Sequence, residues 1–196
     1  QVGKFLSATK DYPIYVVKHK GENVCLCQAP VGSAPAAQLM DWLIGYGVEE
    51  IITGGCCGAL TAFEENVFLV PYKALRDAGT SYHYMKPSRF VGINPTAMKA
   101  IEKTVAEHEL EYREVITWTT DGFYRETKEK VAYRKQEGCE VVAALAACAS
   151  LRNAVWGCIL FTADTLADVE NYDERNWGGD SFAYALELCL DAVVNI

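Results

Sequence analysis

Three short segments of this sequence carry the residue types and spacings best suited to chemistry. The first is Ile51 to Leu60, IITGGCCGAL, in which an apolar run leads into Gly54, Gly55 and Gly58. Glycine adopts backbone angles that other residues avoid and lets a ligand come close to the main chain, so exposed N–H groups here can face an anion. A tight turn without a ligand is the commoner outcome for such a segment. No Gly-Lys-Ser/Thr follows, as in a P-loop, and the spacing is not that of a dinucleotide fingerprint. The second segment is Ala163-Asp164-Thr165, which follows the apolar run VWGCILFT. A carboxyl at the end of a buried strand is desolvated, can hold a proton near neutrality and can then act as a general acid; capping a loop or helix is its commoner use. The third is TTDGFYRE, where Phe123 and Tyr124 lie between Asp121 and Arg125 and offer two aromatic faces to a planar ring, or to the core.

Other groups are weaker candidates. Cys56 or Cys57 could be a nucleophile if His83 were its base, the thiolate being stabilised by backbone dipoles. Arg76, Arg89 and Arg125 are the local cations able to grip an anion with a forked guanidinium, each being otherwise a solvated loop residue. The eight cysteines, Cys148 among them, mostly sit in apolar runs with no Cys-x-x-Cys, and read as buried free thiols. His19, His83 and His108 lack zinc-ligand spacing, so no metal site is expected.

The elements that must position these residues follow from periodicity. Residues 12–18 and 24–29 are strand-like around a turn, HKGEN, and read as a β-hairpin. After a loop over residues 30–35, Ala36, Leu39, Met40, Leu43 and Ile44 share one helical face, ended by Gly45 and Gly47. A strand over 50–53, the glycine turn, and a strand over 67–70 closed by Pro71 complete a strand–helix–strand pattern, which places the chain in the α/β class. Residues 73–89 have no clean period and read as one long functional loop. Asn94 caps a helix with Pro95 at its first position, and Ala97, Met98, Ile101 and Val105 recur at helical spacing. A strand over 114–120, a helix from Thr127 to Gly138, a strand over 139–142 and a helix over 143–151 follow. Residues 155–162 form an uninterrupted apolar run, as in a sheet covered on both faces. Ser181 caps a last helix.

A chain of 196 residues, 51% hydrophobic and 22% charged, is long enough for one domain spanning residues 1–196. Its net charge of −8 excludes a general phosphate-backbone or anionic-membrane surface and points to a small ligand. No stretch reaches membrane-span length and residues 1–9 lack a signal-peptide layout, so the expectation is a soluble, cytoplasmic protein with neither nucleic-acid nor membrane partners.

Taken in order, PVGSAPAAQ, GGCCGAL, TSYHY, TTDGFYRE and FTADTLAD resemble the nucleoside phosphorylase family, which includes purine and uridine phosphorylases and related nucleosidases. The resemblance implies a single-domain, three-layer fold with a central mixed sheet flanked by helices. It implies phosphate-dependent cleavage of the N-glycosidic bond of a purine or uridine nucleoside, with a nucleosidase using water or a non-catalytic nucleoside-binding homologue as the alternatives. On this likeness Gly55, Cys56, Gly58 and Arg76 are the phosphate-binding candidates, and Thr120, Phe123, Tyr124 and Arg125 the base- and nucleoside-binding ones. Asp164 contacts or protonates the base, as in the purine branch. Phosphate is a co-substrate, no metal or organic cofactor is implied, and a homo-oligomer is expected because the family completes its sites from a neighbouring subunit. The sequence departs from the family in three places. Thr53 stands where many members have arginine, exchanging a charge-assisted contact of about 1.5–3 kcal/mol for a hydroxyl, and Cys56 stands for Ser or Thr. Val142 runs straight into Ala143, where a Met-Glu element binds ribose hydroxyls. The family's first strand and phosphate loop would precede Gln1.

Overall fold

The computed structural model describes residues 1–143, 149 and 151–196. At the N-terminus three strands form: β1 (Gly3–Leu6), β2 (Asp11–His19) and β3 (Glu22–Cys27) make an antiparallel sheet in that order. The hairpin expected from sequence is β2–β3, and its two-residue turn, Lys20-Gly21, has positive φ at both positions, which matches the right-handed twist of the strands it joins. β1 went unread because only four residues pair, Gly3 to Leu6 against Ile14 to Asp11.

Helix α1 (Ser33–Gly45) is followed by Gly47 at φ 97. Strand β4 (Glu50–Ala59) is then longer than expected and runs straight through the glycines. This corrects the reading of Gly54 to Gly58 as a turn. The cause is parallel pairing: Glu50 to Cys57 lie in continuous register with Val155 to Thr162 of β9 (Val155–Thr165). The missing side chain at Gly54 serves packing, since a Cβ there would come within 2.7 Å of Cys189 Sγ on the C-terminal helix α4 (Phe182–Val194).

Strand β5 (Phe68–Arg76) likewise passes through Pro71, where sequence placed its end. Proline is tolerated in a strand at a bulge, and the pairing of β5 with β7 (Tyr112–Thr119) shifts register between Pro71 and Lys73. The expected loop over 73–89 is therefore a strand end, a short 3-10 helix at Gly79–His83 and the approach to β6 (Phe90–Gly92). Helix α2 (Pro95–Glu107) starts as read, the Asn94 side chain accepting from Thr96 N–H at 2.8 Å. Helix α3 (Lys128–Gln136) is capped by Thr127 and stopped before Gly138 at φ 89, and β8 is Val141–Val142. The helix expected over 143–151 lies largely outside the described residues.

These strands form a six-stranded mixed sheet in the order β6-β5-β7-β8-β4-β9, and an antiparallel β5–β9 pairing, Leu69 with Leu160, closes it upon itself. Helices α2 and α4 pack on it around fully buried Leu69, Val70, Ile101, Val115, Ile159 and Leu188. A second apolar cluster, Leu60, Leu75, Trp118, Val131 and Cys139, lies beneath α3. Burial of each large side chain contributes about 1.5–3 kcal/mol.

One carboxylate ties the N-terminal sheet to this body beside the packing of Phe5 on Trp42 of α1. Asp191 of α4, almost buried, contacts His19 Nε2 at 2.5 Å and Lys20 Nζ at 2.9 Å from the hairpin, and His108 Nε2 at 2.7 Å beyond α2. Against the upward push of burial, hydrogen bonds from His108, His19 and Lys20 hold its carboxyl below the usual range. A carboxyl depressed in the folded state contributes stability above its unfolded value and loses it as pH falls through its folded one. Asp191→Asn is expected to lower unfolding free energy by about 3 kcal/mol at neutral pH, with the gap narrowing below about pH 4; urea titrations at pH 7 and pH 3 check both.

Candidate functional site

The parallel ladder of β4 and β9 breaks at one place. Cys57 pairs with Thr162 but Ala59 pairs with Thr165, so Gly58 faces two residues of β9. A bulge of this kind re-aims a side chain, and here the side chain is Asp164. Its Oδ1 and Oδ2 lie 3.2 and 3.6 Å from where a Cβ on Gly58 would sit, with Val142 Cγ1 of β8 at 3.0 Å. Beyond the bulge the ladder resumes, Leu166 N–H donating to Ala59 O at 2.7 Å. Gly58 is thus required by contact rather than by backbone angle, and it seats the carboxyl.

Around Asp164 gather groups that sequence reasoning did not single out. Burial and the charge of Asp164 push the Tyr172 phenol up to about 12. Glu126, the residue after Phe123–Arg125, is half-buried, and burial together with the Asp164 charge pushes its carboxyl up to about 7, against the pull of Lys130. Glu126 stood inside the motif TTDGFYRE, but nothing in a linear pattern marks a glutamate as facing an aspartate 38 positions later.

Gly55 and Cys56 border a cavity of about 910 Å³ between β3, α1, β4 and α4, walled by apolar residues such as Leu39, Met40, Leu43, Leu160 and Leu186. Its described lining includes Glu22, Glu49 and Glu50 and no lysine, arginine or histidine. Among the described residues no atom lies within 4 Å of a Cβ built on Gly55, which borders the cavity. The Cys56 side chain is accessible, but desolvation raises its thiol despite a backbone hydrogen bond, and the charge of Asp164 raises it further. A thiolate nucleophile is therefore disfavoured at Cys56; His83 lies exposed in the 3-10 helix beyond β5. Cys57 is buried, its Sγ 3.4 Å from Phe161 O, and Cys25 is exposed, contrary to a uniformly buried set of thiols.

Arg76 and the TTDGFYRE residues lie apart from that cavity, whereas Thr53 is on its lining. Arg76 is buried and committed to its own segment: Nε donates to Ser81 Oγ at 3.0 Å, Nη1 to Lys86 O at 2.8 Å and Ser88 Oγ at 2.7 Å, and its plane lies over Tyr82. It borders a different cavity, of about 440 Å³, with Ser81, Asn94 and Thr119. Thr53 holds its hydroxyl between the Trp156 indole N–H, at 3.2 Å, and Gly157 O, at 3.3 Å. Thr120 is buried and accepts from Gly122 N–H at 3.1 Å. Phe123 is half-exposed, Tyr124 fully exposed and Arg125 exposed. Asp121 takes the Ser33 N–H at 2.6 Å, so the aromatic loop is tied to the start of α1.

A family model described as Phosphorylase superfamily matches residues 2–195. Guanosine phosphorylase of Halorubrum lacusprofundi is 25% identical over 129 residues, covering 65% of this chain; the match spans 54% of that protein's length. Among solved structures, purine nucleoside phosphorylase from Toxoplasma gondii in complex with immucillin-H superposes with a TM-score of 0.79 at 19% identity, over 99% of this chain and 83% of that one. Uridine phosphorylase from Vibrio fischeri ES114 superposes with a TM-score of 0.81 at 19% identity, over 97% and 82%. At such identities these likenesses concern the mixed α/β fold.

The two glycines predict opposite tolerance. Gly58→Ala is expected to cost about 1–3 kcal/mol, because Val142 and Asp164 must both give way, whereas Gly55→Ala stays within about 0.5 kcal/mol. Urea unfolding of both variants provides the comparison.

Proposed function

The chain belongs to the Phosphorylase superfamily, and from that premise we propose that it cleaves the N-glycosidic bond of a purine nucleoside with phosphate as acceptor, giving free base and ribose 1-phosphate. The observation that carries this reading is the carboxyl of Asp164 held over Gly58 by the bulge, next to Gly55 and Cys56 on the border of the larger cavity. In such a reaction positive charge develops on the sugar while the base departs with an electron pair. The protein must position both partners, stabilise that charge and protonate the base. Asp164 takes the last role. The N–H groups around Gly55 and Cys56 face the acceptor, and Phe123 stacks on the base with Thr120, Tyr124 and Arg125 around it. Arg76 holds the segment 81–88 in this reading rather than the phosphate. The chain works as a homo-oligomer, in which a neighbouring copy supplies the cation that the described lining of the large cavity does not.

Water as the acceptor is the second reading. It is favoured by the acidic lining, which opposes a phosphate dianion, and by Thr53, whose hydroxyl is already engaged by Trp156 and Gly157. Incubation with inosine, adenosine and uridine, with and without phosphate, separates the two: base release that requires phosphate is expected, and equal release without it establishes hydrolysis. Asp164→Asn is expected to lower kcat for purine nucleosides on the order of 10²-fold, and to lower it less for uridine. Equal losses on both bases remove Asp164 as the purine-directed acid.

A further inference from the structure

The smaller cavity, of about 440 Å³, carries polar groups that the fold does not account for. Arg76 of β5 and Thr119 of β7 are partners in the parallel ladder, so their side chains stand next to each other on one face of the sheet, and both line the cavity. Ser33, the first residue of α1, joins them, with Asn94 and Pro95 at the start of α2. Among the described residues four buried side-chain polar atoms have no hydrogen-bond partner, and two of them, Ser33 Oγ and Thr119 Oγ1, belong to this lining. Ser33 is 2% exposed and Thr119 6%, so neither hydroxyl is served from the surface. Buried hydroxyls are ordinarily paired, and two unpaired ones on one cavity wall mark the place of a ligand.

The charge is unbalanced in the same place. Arg76 is 2% exposed, and no ion pair among the described residues includes it. Its contacts are hydroxyls, carbonyls and the Tyr82 ring. Arg134, the other buried arginine, is by contrast paired with Asp77 and Glu137, as a buried cation usually is. The described lining contains no aspartate or glutamate; Asp121 accepts the Ser33 N–H but lies off it. Helix α2, thirteen residues long, adds the positive end of its dipole, although Pro95 has no N–H to give and Asn94 takes that of Thr96.

We propose that this cavity is a binding site for a small oxyanion of the phosphate type, separate from the cleavage site at Asp164. The Ser33 and Thr119 hydroxyls donate to its oxygens. The Arg76 guanidinium, with Nε and Nη1 engaged and Nη2 holding only Met85 O at 3.5 Å, balances its charge across a low-dielectric interior without having to grip it. Inorganic phosphate and the phosphoryl group of a larger molecule both present such oxygens.

The test is calorimetric titration of the whole chain with inorganic phosphate and with glycerol 3-phosphate, beside Thr119→Val and Ser33→Ala. Each substitution is expected to weaken at least about 10-fold one binding event present in the wild type. Each should also leave the urea midpoint without phosphate unchanged or raised, because the hydroxyl it removes has no partner there and Ser33 makes no side-chain cap on α1. Tighter binding of glycerol 3-phosphate assigns the site to the phosphoryl group of a larger molecule, and the reverse order assigns it to free phosphate. In nucleoside cleavage, both variants are expected to keep KM for phosphate within about twofold of wild type. Absence of phosphate binding in the wild type, or equal affinities in wild type and both variants, overturns the proposal. A KM for phosphate that rises in step with the weakened binding also overturns it, since the cavity then holds the acceptor itself. If the wild type cleaves no nucleoside, the nucleoside-cleaving reading fails and the calorimetry alone decides the oxyanion site.

Discussion

The parallel pairing of β4 with β9, and the one-residue mismatch at Gly58, is the constraint on which the site depends. Eight successive pairs, Glu50 with Val155 to Cys57 with Thr162, hold the two strands rigidly in phase. The mismatch after them cannot slide, because the ladder is caught again at Ala59 with Thr165. The extra residue is absorbed with Asp164 turned onto Gly58, a position that has no side chain. A carboxyl in a loop would sample many directions; on a clamped bulge it has one.

Buried polar networks do for the loops what the ladder does for Asp164. Asp77, just past β5, accepts from the Trp118 indole at 3.0 Å and from Arg134 of α3 at 2.8 Å. Arg134 reaches Glu137 at 2.8 Å, and Glu137 takes Arg89 bidentately at 2.6 Å. One chain of charges therefore joins the end of β5, the approach to β6 and the far end of α3. Breaking one partner of a buried pair leaves a desolvated charge, so these residues are constrained as strongly as apolar ones. Arg76 belongs to the same class: a guanidinium with its donors spent on nearby carbonyls and hydroxyls organises a segment and has little left for an anion.

The two cavities divide the chemistry unevenly. The larger is apolar with glutamates on its lining and the glycine strand at its edge; the smaller holds Arg76, with Trp156 on the border of both. The described lining of the larger one carries no cation, so a dianion there needs positive charge from elsewhere. Among the described residues, no helix is long and apolar enough to cross a membrane.

The α/β class, most element positions and the cap at Asn94 were legible in sequence, because apolar periodicity and capping act over three or four neighbouring residues. The ordered motifs also pointed to the right family. Where reading failed, the cause was long-range. Gly54 to Gly58 looked like a turn because glycine propensity is local, while pairing with residues more than a hundred positions away drew them into a strand. Pro71 looked like a strand end until a bulge absorbed it. Arg76 looked like a free cation, because nothing in its spacing tells that Ser81, Lys86 and Ser88 return to it. The sequence by itself determined which segments could bear chemistry, and placed Asp164 at the end of a buried strand. Only the tertiary structure decided that this carboxyl lies over Gly58. Such proximity depends on strand register and sheet closure, which sum weak preferences over the whole chain and leave no mark in any one segment.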